Sequence, residues 1–504
     1  MIGIGIVVLM MLSLCVSVNS LKITSNIETD YDPLVDVEVS VVVEGIRYLE
    51  NDEQQVAKSK PVTLVTNRLS FLPLISFFER FFSNKFANIF KNKITETESN
   101  DAPSMYVKVF INDKEFTSSV WANTFYVYKP GWTATLDVPD DQEFVDIKIQ
   151  VWNSKNDKIC DISGDTGSTN DAYDAEIAYS IKNGRWTGDD SLGDQSGYGR
   201  LNGCDDGTIF QIDRDCEIWF NILQNDYDED GIPYWSEVND YQTDPEVGNI
   251  GDPDNDGIPV DWEWKWGYNP FEKDDHDSID DDGDSLNNYE EYLTSAWLSD
   301  PFRKDVYVEM DIMEDGPNGE KTYFPVESRE LIYNAFNRQN IVLHIDMGEM
   351  GGYELIPFDE EVDYYEFIDI YRDYFLHGDH QTWRRGIFHH GVVVYGSAGP
   401  AGYMFRSNAF QISSRGHEKL ARENPWYSRN VIYASAYMHE LGHTFNFWPI
   451  PGHDINADCD EVRPYKSCMS YCWMYKLVDY SDGSREEPDI DDWNRIDYRY
   501  FERH

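Results

Sequence analysis

Two histidines four residues apart, with a glutamate beside the first, are the most chemically pointed feature of this sequence. Met438-His439-Glu440-Leu441-Gly442-His443-Thr444 reads H-E-x-x-H. On a helix this spacing puts His439 and His443 one turn apart on one face, so both imidazoles can reach a single Zn²⁺ at ~2.0–2.1 Å. Glu440 then projects next to the metal, where it can take a proton from bound water. Zinc lowers the pKa of such water towards ~7, which makes a hydroxide nucleophile available at neutral pH. Val431, Ile432, Ala434, Ala436 and Tyr437 make the approach to the motif apolar, as a buried helix requires.

A second pattern recurs between 223 and 302, where 24 acidic residues face 2 basic ones. Asp226, Asp228 and Asp230 precede Gly231, and Glu237 stands twelfth. Asp252, Asp254 and Asp256 precede Gly257, with Glu263 twelfth. Asp280, Asp282 and Asp284 lead to Glu291 in a third copy, where Ser285 replaces the glycine. In such a loop the carboxylates at positions 1, 3 and 5 converge on one Ca²⁺. Glycine at position 6 allows the sharp turn, and the twelfth residue closes the shell with both oxygens. Each segment ends near an X-Pro pair, at Asp244-Pro245, Asn269-Pro270 and Asp300-Pro301. The segment resembles the calcium-binding repeats of thrombospondin type-three and dockerin-like proteins. Repeats this short cannot build a core alone. With calcium they are expected to stiffen into a rod, and without it the carboxylates should repel and loosen the segment.

Downstream of the histidines, Asn446 lies three residues after His443, and Ser467-Cys468-Met469-Ser470-Tyr471 follows. Together with H-E-x-x-H, these residues resemble the metzincin metallopeptidases. Metzincins carry a glycine where Asn446 stands, and asparagine is the next best residue for a left-handed turn. The 467–471 stretch is similar to the Met-turn in the S-x-M-x-Y form of astacins. The resemblance implies that Met469 floors the zinc site and that Tyr471 approaches the metal to stabilise an oxyanion. It covers about 200 C-terminal residues and is specific mainly across 438–471. The third metzincin ligand would fall at Pro449, a departure from the pattern. His453, after Pro449-Ile450-Pro451-Gly452, is the nearest candidate, with Asp454 or an acidic residue of 458–479 as alternatives.

Other elements must hold these groups in place. Val35–Val43, Tyr106–Ile111, Val145–Trp152, Asp174–Ile181 and Cys216–Ile222 are β-branched, aromatic or alternating, which predicts an antiparallel β-sandwich over 21–222. Within it, 58–93 carries seven basic residues against one acidic, and six phenylalanines crowd 77–90. That composition suits either a helical insertion packed on the sandwich or a helix touching anionic lipid. From 303 to 504 strands and helices mix in an α/β domain: Asp305–Ile312, Ile341–Asp346 and Val392–Tyr395 as strands, Ser328–Gln339 and 429–446 as helices, and Phe410–Ser413 as a candidate edge strand able to pair with an extended peptide. His377, His380, His389 and His390 suit surface or core better than a metal.

With 504 residues and 41% hydrophobic content there is material for several cores. The formal charge of −52 repels a phosphate backbone, which argues against nucleic-acid binding. Ile2 to Val18 form an apolar run that reads as a signal peptide over 1–20, with an uncleaved anchor as the alternative because no Lys or Arg precedes it. Cys160, Cys204, Cys216, Cys459, Cys468 and Cys472 would remain after its removal. Their even number suits disulfides outside the cell, with pairing left open. The expectation is a secreted or cell-surface zinc endopeptidase acting on protein or peptide substrates, with a calcium-stiffened connector. The rival is a calcium-dependent adhesion protein with a degenerate last domain.

Overall fold

The structure is a computed structural model that describes residues 37–49, 102–139, 141–164, 173–182, 184–189, 198–203 and 215–500. The apolar run at 1–20, the basic, Phe-rich stretch at 58–93 and Cys204 lie outside them.

The first unit is an antiparallel sandwich of strands β1 (Glu38–Tyr48), β2 (Met105–Ile111), β3 (Lys114–Thr117), β4 (Tyr126–Asp137), β5 (Phe144–Asn153), β6 (Lys158–Cys160), β7 (Ala175–Ser180), β8 (Arg185–Gly188), β9 (Tyr198–Asn202) and β10 (Cys216–Gln224). One sheet runs β4-β1-β10-β9 and the other β3-β2-β5-β7-β8, with β6 beside β5. Alternation decides the faces. Val39, Val41 and Val43 of β1 meet Val145, Ile147, Ile149 and Val151 of β5 in one core.

β4 is not among the strands expected from the sequence, and Lys129-Pro130-Gly131 stand in its middle. Those three residues bulge out of an edge strand: Val43 pairs with Trp132 and Gly45 with Tyr128. Lys129 and Gly131 take φ values of 42° and 66°. An edge bulge is where a sheet tolerates proline.

The acidic segment does not stand off as a rod, contrary to expectation. Helix α1 (Val260–Trp266) and the preceding Ile258 turn an apolar face inward. Ile258, Trp262 and Trp266 form a core with Trp219 of the sandwich, Leu298, and Val342 of the last unit. Burial of those indoles outweighs the preference of an isolated repeat for water. A second short helix, α2 (Asn288–Thr294), is capped by Asn287, whose side chain accepts from the Glu290 amide at 3.0 Å.

The last unit is a mixed sheet of β11 (Asp305–Met313), β12 (Val342–Asp346), β13 (Leu355–Ile356), β14 (Phe388–Val394), β15 (Gly402–Arg406) and β16 (Ala409–Ser413), in the order β12-β11-β14-β16-β15 with β13 beside β11. All pairings are parallel except β15–β16. The order puts β15 at the end of the sheet next to β16, so Phe410–Ser413 lies inside the sheet; periodicity reveals a strand but not its neighbours. β11 is buried along its whole length, as a central parallel strand should be. Its three acids are matched: His344 meets Asp305 at 2.6 Å, Arg384 donates to Glu309 at 2.8 Å and also to Asp346 at 2.8 Å, and His390 meets Asp311 at 2.9 Å. Helices α3 (Val326–Asn337) and α4 (Arg429–Thr444) cover one face. Ile332, Phe336, Tyr433, Tyr437 and Leu441 fill the space between them and the sheet.

Candidate metal centre

Helix α4 carries the buried His439 and Glu440 and the half-buried His443; its buried run extends from Ile432 through Gly442. The helix ends at Thr444, and Asn446 takes φ 61°, a left-handed turn open to its short polar side chain. The chain then reverses through Pro449 to Gly452, which has φ 72°. A Cβ on Gly452 would lie 2.5 Å from Ser470 Oγ, so only glycine lets this loop seat against the 467–471 turn. The Gly452 carbonyl accepts the Tyr471 amide at 3.0 Å, and the disulfide Cys459–Cys472 joins the two segments further out.

This path delivers His453 to the helix. Its Nε2 lies 3.2 Å from His439 Nε2, and His443 Nε2 is also 3.2 Å from His439 Nε2. The corners of a tetrahedral zinc site with ~2.0–2.1 Å arms stand about 3.3–3.4 Å apart. His439 Nδ1 donates to the Cys468 carbonyl at 2.9 Å, which leaves the Nε2 lone pair facing its neighbours. Burial, and then repulsion from the neighbouring imidazoles, hold His439 well below its ordinary pKa, and the same causes lower His443 to about 4. Burial lowers His453 as well. Three neutral nitrogens around one point form a donor set that fits a first-row divalent cation.

Burial also pushes the Glu440 carboxyl up to about 8. Gly402 of β15 passes directly over it: a Cβ there would sit 2.6 Å from Glu440 Oε1. Met469 is fully buried beneath α4 at Gly442, where any added side chain would collide with its sulfur. The half-exposed Tyr471 ring stacks 5.6 Å from His439 and lies 4.3 Å from His453. Two of the alternative third ligands are engaged elsewhere. Asp454 accepts the Asn456 amide at 2.7 Å, and Asp479 pairs with Arg338 at 3.0 Å. His389 and His390 are core residues, whereas His377 and His380 are exposed. Nothing in the sequence pointed to Gly402 or to the Cys468 carbonyl, because both act through backbone atoms.

The three acidic loops share one backbone. Positions 4 and 6 have positive φ in each: Glu229 and Gly231, Asn255 and Gly257, Gly283 and Ser285. Ser285 thus adopts the conformation that glycine takes in the other two. The first aspartate accepts the amide of position 6 in every copy, Gly231 to Asp226 at 2.6 Å, Gly257 to Asp252 at 2.9 Å and Ser285 to Asp280 at 3.1 Å. The aspartate at position 5 reaches further. Asp230 accepts the Asn249 amide, Asp256 that of Asp274, and Asp284 that of Asp305, so each loop hooks the segment that follows.

Asp226, Asp228 and Asp230 cluster, as do Asp252, Asp254 and Asp256, and Asp280, Asp282 and Asp284. The twelfth residues Glu237, Glu263 and Glu291 are buried beside them. Burial, reinforced by neighbouring carboxylates, raises Asp226 to about 6, Glu237 and Glu263 to about 7, and Asp284 to about 7. Both oxygens of Asp228 and one each of Asp254, Asp282 and Glu291 are buried without a hydrogen-bond donor. Bound cations would satisfy them.

Neither a protein-family model nor a curated protein matches the sequence. Among solved structures, extended-synaptotagmin 2 (its SMP domain with two C2 domains) is 8% identical with a TM-score of 0.18, over 39% of this chain and 26% of that one. Human GIVD cytosolic phospholipase A2 is 9% identical with a TM-score of 0.18, over 38% and 16%. A C2 domain-containing protein from a putative elicitor-responsive gene is 10% identical with a TM-score of 0.16, over 37% and 85%. The chain therefore spans only a minor part of the first two, and likeness at these scores carries no argument about what it does.

Proposed function

We propose that this protein is a zinc-dependent endopeptidase of metzincin-like design with calcium-binding loops between its two larger units. The observation that carries this reading is the convergence of His439, His443 and His453 within hydrogen-bonding distance, next to the buried carboxyl of Glu440. Zinc bound there would polarise water and the scissile carbonyl.

The remaining work falls to the chain. Glu440 is placed to take a proton from the attacking water and pass it to the leaving amine, and a divalent cation beside it would favour its carboxylate form. Tyr471 borders the imidazoles and can donate its hydroxyl to charge developing on the carbonyl oxygen. The free edge of β15 passes Glu440 at Gly402, so an extended peptide adding to that edge would lay its backbone across the site. The acidic loops are read as calcium sites with a structural role, and the protein as exported. Among the described residues no helix is long and apolar enough to cross a membrane.

Glu440→Gln should abolish hydrolysis of casein while leaving zinc bound. If that variant cuts at the parental rate, the general base lies elsewhere. A degenerate domain serving a calcium-dependent adhesion protein would instead show calcium and no tightly held zinc in metal analysis.

A further inference from the structure

The second acidic loop differs from the other two in one respect. Near its fifth-position aspartate and its twelfth-position glutamate stands an imidazole. His276 Nε2 lies 3.2 Å from Asp256 Oδ2 and 3.5 Å from Glu263 Oε1. The equivalent place, two residues beyond the amide hooked by the fifth aspartate, is held by Gly251 in the first loop and Tyr307 in the third.

All of these groups are held in place. His276 is 2% exposed and Glu263 is fully buried. Neither Glu263 oxygen has a hydrogen-bond donor, and His276 Nε2 makes no hydrogen bond of acceptable geometry. Asn288 Nδ2 stands 3.0 Å from the other ring nitrogen, Nδ1, and Asn288 Oδ1 lies 3.4 Å from the Tyr268 hydroxyl. A metal at Nε2 would require the Asn288 amide to turn by 180°, so that its oxygen accepts Nδ1–H and Nε2 presents a lone pair beside the two carboxylates. The rings of Trp262 and Tyr268 stand edge-on against the imidazole at 6.1 and 5.1 Å and fix its plane.

Calcium prefers a shell made wholly of oxygen, whereas imidazole nitrogen suits zinc and its first-row neighbours. The spacings of 3.2 and 3.5 Å bracket the ~3.4 Å edge of a tetrahedral site with arms near ~2.1 Å. We propose that Asp256, Glu263 and His276 form a second transition-metal site, with zinc-like preference, built into the middle calcium-type loop. In this loop alone the transition metal takes the place of calcium, and Asp252 and Asp254 shape the loop and supply outer negative charge. The metal would pin the middle of α1, through Glu263, to the chain ahead of the third loop. This site is independent of the three-histidine centre and of the peptidase reading.

The test uses the full chain carrying His439→Ala and His443→Ala, so that zinc at the first centre is removed. Equilibrium dialysis against zinc, with calcium present in millimolar excess, should retain one zinc per chain. Adding His276→Gln should weaken that binding by more than roughly tenfold. Copper(II) loaded in place of zinc should show the pulsed-EPR modulation of a directly bound imidazole, which a merely structural histidine would not give. On the unmutated chain, zinc-edge anomalous scattering should give two peaks, one at each centre. No zinc retained in the double variant, affinity unchanged by His276→Gln, or a single peak confined to His439, His443 and His453 would overturn the proposal. A single peak confined to Asp256, Glu263 and His276 would uphold it and sink the peptidase reading instead.

Discussion

Asp284 Oδ2 accepts the backbone amide of Asp305 at 2.6 Å, so the third acidic loop grips the first residue of β11, the central strand of the last sheet. Asp305 in turn meets His344 of β12 at 2.6 Å. Calcium held by the loop would therefore brace the sheet that carries the histidine helix.

Chelation should lower the thermal unfolding midpoint of the C-terminal unit and not only loosen the connector. Asp284→Ala orphans a buried amide, which costs about 1–3 kcal/mol. In calorimetry this variant should melt earlier in calcium and respond less to chelator than the parent. An unfolding profile indifferent to chelator would refute the brace.

The third imidazole offers a sharper test. His453→Ala should lose both tightly bound zinc and hydrolysis, whereas Asp454→Ala should keep both, since Asp454 is exposed and bonded to Asn456. Zinc content measured after extensive dialysis separates the two. Retention by His453→Ala would move the third ligand elsewhere.

Gly442 sits where helix propensity and packing disagree. Alanine would improve the helix by roughly 1 kcal/mol. Its methyl would, however, drive into Met469 and approach the Phe447 ring to 3.0 Å, and overpacking typically costs about 1–3 kcal/mol. Gly442→Ala should thus be destabilised in denaturant titration, with Met469→Ala restoring part of the loss in the double variant. A stabilised single variant would mean that Met469 moves aside freely.

Acid should weaken the last unit through His417. Burial lowers this ring to about 4, and its Nδ1 donates to the Ser413 carbonyl at 2.8 Å. The unfolded chain protonates near the ordinary value of 6.5 and the folded one only near 4, so below 6.5 protons favour unfolding. Stability is full above pH 6.5 and declines towards pH 4, by about 3 kcal/mol for this group alone. His389, lowered by burial to about 3, acts in the same sense. His417→Gln should flatten the slope of stability against pH between 6.5 and 4; an unchanged slope would exclude this ring as a source.

Local spacing made much of this protein legible. The H-E-x-x-H helix, the three acidic loops and the alternating strands follow from the period of a helix, the geometry of a twelve-residue loop and the pleat of a strand, all set by neighbours in the chain. Asn446 could be weighed in advance because asparagine tolerates a left-handed turn, whereas at Ser285 the loop imposed on serine the conformation that glycine takes in the other copies. Tertiary structure alone decided the rest. The Pro-Gly reversal and the 467–471 turn together set where His453 comes to lie, and sheet order made β15 the edge instead of β16. Packing between distant indoles folded the acidic segment onto both neighbouring units, and the same packing carried His276 to the second loop. Each of these is a contact between residues remote in sequence, and its energy depends on surfaces that exist only once the chain has closed on itself.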